Sequence, residues 1–155
     1  MDGLMNAYKE RQRQSFVWQA EQMLWLPYIW GGDDPRGFDC SGLVVECLKG
    51  VGRLSPEQDL TADGLHKLYS HYPEADETRG GCLLFWGRGS GREQHMVHVA
   101  VARDRHFCIT ADGGGSHVRN VEDAYKYNAF IKLRPILHRG RPPIIVDIFA
   151  ELDDV

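Results

Sequence analysis

The stretch from Tyr28 to Leu48, YIWGGDDPRGFDCSGLVVECL, constrains the fold more than any other part of the chain. Gly31, Gly32, Pro35 and Gly37 make its first half a turn. Asp39-Cys40-Ser41 then opens an apolar run of Gly42, Leu43, Val44, Val45 and Cys47, which reads as a helix buried on much of its surface. Gly50 is placed to stop that helix after Lys49. A cysteine in the first turn of a helix lies near unpaired backbone N–H groups and the positive end of the dipole. Both favour the thiolate, the nucleophilic form. The same position also suits a small apolar residue, so the local pattern alone leaves Cys40 either reactive or structural.

Around this stretch the elements fall into two groups. Asn6 to Leu26 reads as a helix, with Phe16, Ala20, Met23 and Leu24 on one face and Tyr8 two turns earlier on the same side. Leu26-Pro27 ends the pattern, because the residue before proline avoids the helical region. Thr61 to Tyr69 reads as a third helix, capped by Thr61, with Ala62, Leu65, Leu68 and Tyr69 inside. Strands follow. Cys82 to Trp86 is a short apolar run, and Met96 to Ala102 and His106 to Ala111 form a hairpin about Arg103-Asp104-Arg105. Gly113-Gly114-Gly115 interrupts, Ser116 to Arg119 could begin another strand, and Phe130 to Leu133 reads as a further one. The apolar Ile144 to Ala150 is either a last strand or a segment that docks on a partner. Helices first and antiparallel strands afterwards define an α+β class, with N-terminal helices packed on a central antiparallel sheet. A length of 155 residues suits one domain, 1–155, with 136–155 as a possible C-terminal extension.

Charge and cysteine usage exclude several functions. A net charge of -4 gives no electrostatic footprint for nucleic acid. The four cysteines, Cys40, Cys47, Cys82 and Cys108, have no C-x-x-C spacing, so neither a disulfide framework nor a zinc knuckle is expected. The first residues, MDGLMNAYKERQRQ, read neither as a signal peptide nor as a membrane span. Synthesis in the cytoplasm, with no membrane insertion and no export route of its own, is the expectation.

Cysteine catalysis needs a thiol, an imidazole and a polar group that fixes the imidazole. Period two places His98, Ala100 and Ala102 on one face of their strand and Val97, Val99 and Val101 on the other. The valine face reads as core. The His98 face has small neighbours, leaving room for a helix N-terminus, so His98 is the partner proposed for Cys40. A half-exposed strand histidine is the plainer reading, and His95, on the rim, is the weaker candidate. On the return strand Thr110 and Asp112 point the same way: Asp112 offers charge, Thr110 a neutral acceptor, and His117 is a later alternative.

Three segments together carry a resemblance. They are Pro27-Tyr28-Ile29-Trp30-Gly31-Gly32, then Gly37-Phe38-Asp39-Cys40-Ser41-Gly42-Leu43-Val44, and His98-Val99-Ala100-Val101. With Gly81-Cys82-Leu83-Leu84-Phe85-Trp86 between them, they resemble the NlpC family of papain-like cysteine peptidases, over roughly Trp25 to Val118. The resemblance implies a hydrolase that cuts bacterial cell-wall stem peptides, usually between D-glutamate and the next diamino acid, with no metal or cofactor. It implies Cys40 as nucleophile, His98 as general base and Tyr28 near the oxyanion. Asp39 and Ser41 are implied at the free amine of the stem peptide, with Trp30 on the same substrate side. Their plainer readings are a helix cap and a polar contact within the first helical turn.

Two positions depart from the family pattern. Cys82 stands where the family has an aspartate. Counting twelve positions on from His98, to where the family usually has an orienting histidine, reaches Thr110. Spacing favours Thr110 and charge favours Asp112, and the sequence does not decide between them. The peptidoglycan stem peptide is the expected partner, with delivery by a phage tail or secretion system and a virion-associated or cell-wall location. A non-catalytic assembly module on the same scaffold, and a related amidase or acyl transferase, are the alternatives.

Overall fold

The computed structural model describes residues 2–34 and 36–152. Its element order begins with α1 (Asp2–Gln22), the two-residue strands β1 (Asp33–Asp34) and β2 (Gly37–Phe38), α2 (Cys40–Gly50) and α3 (Ala62–Leu68). Then come β3 (Leu83–Arg88), β4 (His95–Ala102), β5 (Phe107–Asp112), α4 (Val121–Tyr127), β6 (Phe130–Pro135) and β7 (Ile144–Val146). The last five strands form one sheet in the order β6-β5-β4-β3-β7, with every neighbouring pair antiparallel. The N-terminal helices pack on this sheet, the expected α+β arrangement.

The main core lies between the helices and one sheet face. Leu43, Val44, Cys47 and Leu48 of α2 meet Phe85, Val99, Val101 and Ile109 of the sheet there. Phe16 and Ala20 bring α1 into the same core. Arg13 is buried beside them, donating to Gly80 O at 3.1 Å and pairing with Asp147 at 3.0 Å. A buried guanidinium needs such partners, and this pair ties α1 to the loop before β3 and to the C-terminal segment. Ile144–Val146 is the edge strand beside β3, and Ile148 and Phe149 enter the main core.

Several elements differ from what the sequence suggests. Tyr8 does not share the inner face of α1 and is 60% exposed, because the core begins further along the helix and residues 2–8 are all exposed. Helix α1 ends at Gln22 rather than Leu26, so Met23 and Leu24 meet the core from the turn beyond. Leu68 points outward at 40% exposure, while Tyr69, the C-cap of α3, is buried. Ser116 to Arg119 is a turn, not a strand, and α4 follows it. Its signal was local: Asn120 caps the Asp123 N–H at 2.9 Å, Glu122 and Asp123 sit in the first turn, and Asn128 ends the helix in the left-handed conformation.

The faces of β4 are also sorted differently from the expectation. The helix α2 lies on the Val99 and Val101 side, not on the His98 side. The opposite face is no open shelf. Ala100 and Ala102 pack there with Leu84, Trp86, Cys108 and Ile136 in a second core. A bulge reconciles the two faces at one end of the strand: Trp86 pairs with His98 but Gly87 pairs with Met96, which leaves Val97 without a partner. The extra residue reverses the alternation, so Met96 joins Val99 in the main core.

Candidate active site

Close backbone approach fixes the start of α2. A side chain on Gly42 would collide with Gly32 O, and one on Gly32 would collide with Gly37 O. The helix therefore sits directly on the glycine turn that the sequence stretch supplies. Asp39 is its N-cap, accepting from Gly42 N at 2.7 Å and from the Ser41 hydroxyl at 3.3 Å. Burial raises the Asp39 pKa, and the Gly42, Ser41 and Gly31 hydrogen bonds oppose that rise.

Cys40 thus becomes the first residue of α2, half-buried against the main core. It opens into a cavity of ≈ 540 Å³ that His98 also lines, with Tyr28, Trp30, Asp39, Ser41, Asp112 and Arg139 among the walls. Burial pushes the Cys40 thiol up to about 11. The N–H groups of Val99 and Ser41 and the charge of Arg139 oppose this but do not overcome it. The resting sulfur is therefore a thiol. A helix start favours the thiolate, but here desolvation outweighs the N–H groups at the sulfur. Val99, whose N–H serves the sulfur, directly follows His98 in the chain.

His98 is 6% exposed. Burial, then the charges of Arg139 and His138, push its pKa down to about 3, with Asp112 pulling weakly the other way. The imidazole is neutral near pH 7. Its Nε2 lies 2.7 Å from the fully buried Thr110 hydroxyl, and Trp86 and His138 lie beside the ring at centroid distances of 5.5 and 6.1 Å. With Nε2 engaged by Thr110, Nδ1 is the nitrogen left to exchange a proton. Asp112, the charged alternative, instead lies 3.2 Å from Arg134 Nε. His117 stacks edge-on against Tyr127, centroids 4.5 Å apart, and His95 is exposed.

Tyr28 is buried at the cavity wall, and its phenol pKa is raised by burial first and then by Cys40 and Asp39. It stays a protonated donor close to both. Its ring lies against Gly114, where a side chain would collide with it, so the triple glycine has a packing role at this wall. Trp30 stands at the mouth, 57% exposed, and its backbone N–H donates to Val118 O at 2.8 Å. Sequence reasoning missed Arg88 and Arg139, both on the cavity wall. The basic run His138-Arg139-Gly140-Arg141 was visible, but nothing local says that it returns to β3. Among the described residues no group of three or more His, Cys, Asp or Glu is placed to hold a metal ion, and no helix is long and apolar enough to cross a membrane.

A thiol at a helix start and a buried imidazole on an antiparallel sheet, opening into one cavity, define the papain-like class of cysteine peptidase scaffold. The chain belongs to the NlpC/P60 family, whose model matches residues 26–134. Among curated proteins it is 30% identical over 106 residues to the bifunctional muramidase/DL-endopeptidase CwlT of Bacillus subtilis, covering 68% of this chain and 30% of that protein. It is 29% identical over 119 residues to the murein DD-endopeptidase MepH of Escherichia coli, covering 75% and 43%. The chain thus spans less than half the length of these relatives. Among solved structures, the peptidoglycan hydrolase RipB of Mycobacterium tuberculosis superposes with a TM-score of 0.64 at 24% identity, covering 94% of this chain and 68% of that one. That likeness concerns the fold.

Proposed function

We propose that the chain is a cysteine peptidase that hydrolyses peptidoglycan stem peptides, with Cys40 as nucleophile, His98 as proton carrier and Thr110 as the residue that orients His98. The observation that carries this reading is the single cavity lined by both Cys40 and His98. The activities for which CwlT and MepH are named support the substrate class, and they differ in the bond. The D,L bond, between the D-glutamyl residue and the next diamino acid, is the finer part of the proposal.

Both members of the pair start neutral, so proton transfer accompanies attack rather than preceding it. Cys40 Sγ adds to the peptide carbonyl carbon while His98 Nδ1 takes the thiol proton. Thr110 Oγ1 lies 2.7 Å from Nε2; a ring protonated on Nε2 donates there and leaves Nδ1 free to take the proton. The Cys40 N–H and the Tyr28 hydroxyl are the donors proposed for the oxyanion. As the C–N bond breaks, His98 passes its proton to the leaving amine. Water then attacks the thioester with His98 as base, releasing the acid and restoring the thiol.

The test is to incubate purified stem tetrapeptides with the protein and identify products by mass spectrometry. A new free amine at the D-glutamyl bond, absent with Cys40→Ala, is the expected result. Cleavage at another bond would overturn the D,L assignment alone. No cleavage of any stem peptide, with transfer to another acceptor also absent, would favour the non-catalytic module.

A further inference from the structure

A second cavity of ≈ 360 Å³ adjoins the first, sharing Arg88, Val97, Asp112 and Arg139 with it. Arg134, His138 and Arg141 complete its wall. Four guanidiniums face one carboxylate there, in a chain whose net charge is -4. The patch is therefore a local concentration and not a reflection of general basicity. Asp112 is already beside Arg134, at 3.2 Å. Arg141 donates to Gly87 O, and its own carbonyl accepts the Trp86 indole N–H at 3.1 Å, which fastens the segment to β3. Arg88 and Arg139 remain exposed and, among the described residues, make no ion pair. Clustered like charges raise the energy of the empty site, and a bound anion relieves it.

The cleft has opposite electrical ends. Asp39 lines only the first cavity, together with Tyr28 and Cys40, whereas Arg88 and Arg139 also line the second, whose wall includes none of those three. A histidine that protonates the leaving amine must face the leaving fragment, so groups on its far side from the thiol meet that fragment. We propose that Arg139 and Arg88 form a specificity subsite for a carboxylate carried by the amine-bearing product, the diamino-acid side of the stem peptide. This rests on the hydrolytic reading above. Arginine is suited to the task because its planar fork matches a carboxylate.

Two synthetic stem tripeptides test it, identical except that the diamino-acid residue ends in a free carboxylate or in a carboxamide. The full chain should cleave the free acid with kcat/KM about tenfold or more above the amide, the range expected for a charge-assisted contact. Arg139→Gln should bring the ratio close to unity, and Arg139→Lys should restore part of it. Any change that Arg139→Gln makes to His98 itself affects both peptides alike and cancels in the ratio. Equal rates for the two peptides in the unaltered protein, or an undiminished ratio in Arg139→Gln, would overturn the subsite. A second arm does not need turnover: calorimetry of the Cys40→Ala protein with the diamino-acid product, as acid and as amide. Tighter binding of the acid, lost with Arg139→Gln added, supports the subsite. Equal binding of the two overturns it. If neither peptide is cut, the hydrolytic reading fails and the calorimetry alone decides the subsite.

Discussion

The two faces of the central sheet are built on different terms. The face under α2 is apolar and is closed by elements that precede the sheet in the chain: Leu43, Val44 and Leu48 on Val99, Val101 and Ile109. The other face carries His98 and Thr110 among Trp86, Cys108 and Ile136, and is closed by the segment that follows β6. The first is a packing surface, in which any well-fitted apolar set serves. The second holds buried polar groups, which must be paired individually. Cys40 and His98 reach a common cavity although α2 lies on the face opposite His98, and the bulge at Val97 lies at that end of β4. Stability should therefore reside mainly on one face and rate on the other.

That contrast can be broken by experiment. On the polar face, His98→Gln keeps an amide near the same volume but removes the proton carrier. Hydrolysis should fall by about 10²- to 10⁴-fold, with a thermal midpoint close to the parent in a melting experiment. A loss of folding instead would make His98 chiefly structural. On the apolar face, Leu43→Ala should cost ~2–5 kcal/mol in denaturant unfolding, because a fully buried side chain leaves a cavity. Any residual folded protein should turn over substrate at nearly the parental kcat. A smaller effect is expected from Thr110→Val, which keeps the shape and leaves His98 Nε2 without its 2.7 Å partner. Stability should drop by about 1–3 kcal/mol and kcat about tenfold, with KM little changed. An unchanged kcat would remove Thr110 from the reaction, leaving it only a packing role.

The same contrast governs what the sequence reveals. The apolar runs at Leu83, Val99 and Ile109 and the helix after Cys40 announce themselves by composition and period, so the α2 face is readable without coordinates. Helix α4 is equally legible in its Asn120 cap and acidic first turn, which follow directly on the Ser116 to Arg119 stretch that reads as a strand. The Tyr8 and Leu68 assignments failed because periodicity names a face without saying how far the partner surface extends. On the polar face, period two puts Thr110 and Asp112 on one side with His98, but it cannot say that Thr110 meets the ring while Asp112 pairs with Arg134 on β6. Arg139 reaches the cavity through a chain reversal after β6, and no local pattern encodes such a return. The state of the Cys40 sulfur turns on burial, which raises its pKa and which a local helix-start pattern does not reveal.

Burial of an uncharged imidazole also has a stability consequence with a definite sign. Unfolded, the His98 ring binds its proton near 6.5, while the folded ring does so only near pH 3. Between those values the unfolded chain holds more protons. His98's contribution is therefore complete above about pH 6.5 and is lost progressively as pH falls toward 3, by a few kcal/mol in all.

The claim on which the rest depends is that the thiol and imidazole wait as a neutral pair, with the ring held by Thr110. A nitrogen-15 NMR titration of the His98 side chain from pH 8 to pH 3 tests it most directly. The account predicts a neutral ring protonated on Nε2 throughout the range around neutrality, charging only well below the ordinary histidine pKa. An imidazolium already present at pH 7, or a neutral ring protonated on Nδ1, would contradict it.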